Sequence, residues 1–137
     1  MNRFWSFLLA AFFGAVVGGF IESMNSVVRA DQYGIDPFAS GNVGQFAAHA
    51  GVGVFGGLVG GILGILLASG ISAAKQRTLL KFAVGTIIIG VVACGIVFVL
   101  STDGVAIPGG LVTVCEQFTV LCSTAVGVAF VSGDADD

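Results

Sequence analysis

The sequence predicts an all-α membrane protein: a bundle of four transmembrane helices with both termini in the cytoplasm. Three observations carry that prediction. Charged residues make up only 9% of the 137-residue chain, against roughly 25% in an average globular protein, and the mean hydropathy is +1.05. Apolar runs occupy residues 4–21, 43–71, 82–100 and 107–131, and a helix of about 20 apolar residues crosses a hydrocarbon core ~30 Å thick. Between Asp36 and Asp103 the only charges are Lys75, Arg77 and Lys81, grouped in one segment between two of those runs. Lys and Arg concentrate in short cytoplasmic loops, so this cluster sets the orientation.

The first span, FWSFLLAAFFGAVVGGFI, ends at Glu22. Arg3 before it, with Val28 and Ala30 after it, mimics a secretory signal. The run nevertheless exceeds the usual ~7–15 apolar residues of such a signal, and Arg29 sits between the two small residues. It is read as a retained helix. Residues 22–42 form an external loop with turn signals at Tyr33-Gly34 and Asp36-Pro37, although residues 22–30 are also compatible with an extension of the first helix.

The second span opens at Asn42, with Gln45 three residues on as a variant capping box. A cytoplasmic loop, residues 72–81, carries the basic cluster. The third span is almost pure Val, Ile, Gly and Ala. β-branched residues are poor helix formers in water, but in lipid a run this long satisfies its backbone only as a helix. The fourth span follows the turn Ser101-Thr102-Asp103-Gly104, with Pro108 in its first turn. Residues 132–137 form a short acidic tail. The chain is thus one membrane domain, placed in the inner cell membrane, with four cations inside (Arg3, Lys75, Arg77, Lys81) and Arg29 outside.

Two features of the spans stand out. Gly53, Gly56, Gly57, Gly60, Gly61 and Gly64 share an arc of about 140° on the second helix, and Gly14 and Gly18 make a shorter face on the first. Such faces let helix backbones approach closely. The partner helix lies in this chain, in a second copy or in another protein. Glu116 is the one acid within a span. Counted from the start of its run it lies roughly 13 Å deep, where a charge costs about 2.5–3.5 kcal/mol. It is therefore expected to be neutral, paired or facing water. Thr113, Gln117, Ser123, Thr124 and Gly127 are placed on its side of the helix, with His49 as a candidate partner across the bundle.

A glycine-rich helix with a carboxylate in the last span resembles the rotary-ATPase proteolipids in those two features. The dense alternating glycines of that family are absent, and a long loop separates the first two spans, so the chain is not read as a member.

Other chemistry has little footing. GVGVFGGLVGG lacks the GK[ST] of a phosphate loop. Cys94, Cys115 and Cys122 lie in apolar runs without CxxC or Cys/His spacing and read as packing residues. No catalytic constellation, metal cluster or cofactor motif is present, and no basic patch suits nucleic acid. The expected function is that of a non-catalytic membrane protein acting through helix packing, with the bilayer and other subunits, or copies of itself, as partners. The alternative is a proton- or cation-coupled transporter or channel component centred on Glu116.

Overall fold

The computed structural model describes the backbone of residues 2–134 and the side chains of residues 2–131; of the predicted acidic tail, residues 132–134 continue the last helix and residues 135–137 lie outside that range. Four helices account for the described fold: α1 (Arg3–Gln32), α2 (Val43–Ser69), α3 (Ala73–Thr102) and α4 (Gly109–Asp134). Each is long and apolar enough to cross a membrane.

α1 and α3 outrun the predicted spans, whereas α2 stops two residues short of its own and α4 starts two residues late. α1 has 30 residues, about 45 Å at 1.5 Å per residue, so the connection to α2 begins only at Tyr33. The extension is held by packing. Gly14, Gly18, Ile21, Asn25 and Val28 are all buried, and their alternating steps of four and three continue one contact stripe past the apolar run. Gly34 then turns the chain at φ +67°, a conformation glycine adopts without a Cβ penalty.

α3 likewise begins at Ala73. Lys75, Arg77 and Lys81 therefore lie on its opening turns rather than in a loop, and only residues 70–72 link it to α2. Asn42 does not cap α2 with its side chain; its amide donates to the Asp36 carbonyl at 2.8 Å instead. Pro108 stands just before α4, its carbonyl accepting from Leu111 N–H at 3.0 Å.

α1 and α4 form an antiparallel central pair, with α2 and α3 flanking it on opposite sides. α2 sits against both central helices through glycine. A Cβ at Gly57 would overlap the Gly14 carbonyl, one at Gly61 the Ala10 carbonyl, and one at Gly18 would lie 2.5 Å from the Gly53 carbonyl. On the α4 side, a Cβ at Gly60 would meet Ser123 at 2.8 Å, and one at Gly64 would overlap the Thr124 carbonyl. Five of the six α2 glycines thus lie against helices of this same chain. Gly56 is the exception, with open space where a side chain would stand.

On the other flank, Cys94 and Val97 of α3 join Ile21, Val28, Val112, Cys115 and Cys122 in a buried cluster that Phe118 also packs against. At the Lys75 end the buried Gln76 of α3 donates to the carbonyls of Ala68 (3.1 Å) and Ile71 (2.9 Å). The Ala68 carbonyl also accepts from Ile71 N–H at 3.1 Å, so Gln76 adds a second donor there and ties the turn that follows α2 to α3.

Candidate functional site: a polar cavity at the Tyr33 end

The far half of α1 presents Glu22, Asn25, Ser26 and Arg29 on one face, an arc of about 100° at helical spacing. Facing them, α4 presents Glu116 and Thr119. The two helices are locked in register by the buried Asn25, whose Nδ2 donates to the Cys115 carbonyl at 2.9 Å. This turn of α4 is therefore level with Asn25, one helical turn past Ile21, where the apolar run of α1 ends. Glu116 lies beside the polar end of α1, level with Asn25.

Glu116 is paired, and its partner is Arg29 rather than His49. Nε donates to Oε1 at 3.1 Å and an Nη to Oε2 at 2.8 Å. Both side chains are about one-third exposed (32% each), so the fork is neither sealed nor fully solvated. A planar guanidinium matches a carboxylate in this way with geometric specificity that Lys lacks.

A cavity of about 330 Å³ opens beside the pair, between the end of α1, the connection to α2 and the start of α2. Glu22, Arg29, His49 and Glu116 supply its charged and titratable wall, and Tyr33 and Phe46 line another part. His49 and Glu116 do share a site, across a cavity rather than by contact. The Glu22 carboxylate accepts from Thr119 Oγ1 at 3.3 Å. Among the described residues it forms no ion pair, and the one guanidinium of the cavity wall is held by Glu116.

The remaining predicted residues divide. Ser123 is buried, donating to the Thr119 carbonyl at 2.6 Å and the Gly14 carbonyl at 3.3 Å. Thr113 and Gln117 are exposed on the outer side of α4, because the contact stripe steps through 112, 115, 119, 122 and 126 rather than through 113 and 117. Thr113 simply bonds back to the Gly109 carbonyl at 3.1 Å.

Glu22, Asn25, Arg29 and Thr119 were not singled out from the sequence. The first three stand at steps of three and four residues, a signal visible once α1 is allowed to continue past Glu22. Among the described residues no three His, Cys, Asp or Glu side chains converge to hold a metal, and all three cysteines are free and buried. No family model, curated protein or solved structure matches this chain.

Proposed function

We propose that this is a small multi-pass membrane protein that takes up a proton or a cation in the Tyr33-end cavity, as a transporter or channel component. The observation that carries the reading is the charge imbalance there: Glu22 and Glu116 face one guanidinium, and that guanidinium is committed to Glu116. A carboxylate in a half-buried site needs a proton, a cation or water to offset its desolvation. Glu116 then serves as the fixed anchor, and Glu22 is the group free to exchange its partner. If the basic cluster is cytoplasmic, the cavity faces outward.

The test is flux in liposomes reconstituted with the full chain. Glu22→Gln keeps an acceptor for Thr119 and should accumulate normally while proton or cation uptake is lost. Wild-type uptake in Glu22→Gln, or no uptake by the unmodified protein, would overturn the proposal.

A second reading, an accessory subunit or homo-oligomer, draws on a different surface. Five of the six α2 glycines are occupied within the chain, but Ile88, Ile89, Val92, Ile96 and Val99 of α3 are all more than half exposed. Native mass spectrometry from mild detergent distinguishes a lone bundle from either assembly.

A further inference from the structure

The cavity is built for more than a bare ion. Its volume of about 330 Å³ is on the order of ten times the ~30 Å³ that one water occupies in the liquid, and falls at the lower end of the ~300–1,000 Å³ typical of small-molecule sites. Inorganic cations of the calcium and magnesium kind take several oxygen ligands at short range, and among the described residues no three His, Cys, Asp or Glu side chains form a group that could hold a metal. The walls are instead mixed. Glu22 supplies a carboxylate outside the Arg29–Glu116 ion pair, while Tyr33, Phe46, Ile35 and Pro37 supply aromatic and aliphatic surface. The ring of Phe46 is braced by Phe38, their centroids 5.4 Å apart.

A carboxylate held in no ion pair, in one cavity with aromatic rings, is the chemistry that recognises an ammonium carrying carbon substituents. The charge is met by the carboxylate and the ring faces, and the substituents displace water from apolar walls. Arg29 does not oppose this, because its charge is already met by Glu116 at 2.8 Å.

We infer that the cavity bounded by Glu22, Tyr33, Phe46 and His49 binds a small organic ammonium. This rests on the cation-site reading above and narrows it to a ligand class. Binding is measured on the detergent-purified full chain by calorimetry and by thermal shift, with tetramethylammonium, choline and sodium as probes at fixed pH.

Tetramethylammonium and choline should each saturate one site and raise Tm, and sodium at equal ionic strength should not. Glu22→Gln should abolish the shift. Tyr33→Ser and Phe46→Leu, the former in an exposed connection, should each weaken binding by about tenfold while Tm without ligand stays near wild type. If sodium or proton uptake depends on Glu22 and neither ammonium binds, the ligand class is wrong and the cation site stands. If nothing binds and Glu22→Gln changes no uptake, the underlying reading falls as well. Ammonium binding that survives Glu22→Gln would place the ligand elsewhere and also overturn the inference.

Discussion

Arg29 and Glu116, 87 positions apart in sequence, meet as a two-pronged ion pair across the α1–α4 interface, with N···O distances of 3.1 and 2.8 Å. At one-third exposure the pair lies between the surface case, worth about 0–1 kcal/mol, and the buried case, where stranding one partner costs about 3–5 kcal/mol. Arg29→Leu and Glu116→Leu should each destabilise the bundle by about 1–3 kcal/mol. The double variant Arg29→Leu/Glu116→Leu should recover part of that loss, since neither charge is then stranded. Unfolding in mixed micelles of increasing SDS fraction measures all three, and a fully additive double variant would show that the charges do not interact.

Gly56 and Gly57 are adjacent in sequence and opposite in environment. A methyl group at Gly57 would overlap the Gly14 carbonyl, whereas one at Gly56 meets nothing within 4 Å. Gly57→Ala should cost about 1–3 kcal/mol through overpacking and lower accumulation in the membrane. Gly56→Ala should be neutral or slightly stabilising. Equal effects of the two substitutions would contradict the helix contacts described above.

Asn25 is 1% exposed; its Nδ2 has the Cys115 carbonyl, but its Oδ1 has no partner. Asn25→Leu loses one interhelical hydrogen bond, about 0.6 kcal/mol on average in membranes, and removes the unmatched oxygen, so the net change should stay within about 1 kcal/mol. Asn25→Asp places a carboxyl group where a donor to Cys115 was and should cost clearly more. Comparing the two unfolding midpoints checks the order.

Gln76 closes the end of α2 from the first turn of α3. Gln76→Ala removes a side-chain donor from the Ala68 and Ile71 carbonyls, the former still accepting from Ile71 N–H, and about 0.5–1.5 kcal/mol should be lost. Faster amide hydrogen exchange should be confined to the last turn of α2 and the first turn of α3. An exchange pattern identical to wild type would show that the bond contributes nothing.

The four helices were legible because hydrocarbon imposes a length on apolar runs, and each predicted run lies on one observed helix. Their ends were not. Glu22 and Lys81 interrupt hydrophobicity without interrupting a helix, and the packing that carries α1 on to Gln32 depends on Asn25 and Val28 meeting residues some 90 positions away. Glu116 stood out because it is a lone acid in a long apolar run. Its partner did not, because Arg29 was assigned to a loop. The glycine arc was visible on a wheel, yet only the three-dimensional arrangement divides it between α1 and α4 and leaves Gly56 facing neither.

Because α2 and α3 flank the α1–α4 pair from opposite sides, the hairpin they form has little interior of its own. A nascent chain that has released three helices holds α1 against α2, but most of the surface that receives α3 arrives only with the final segment. Until then α1 alone offers Asp31 to Ser101, and Ile21 and Val28 to the apolar side of α3. A chain stopped before residue 109 would hold α3 by that edge alone, so the bundle closes only when translation has nearly finished.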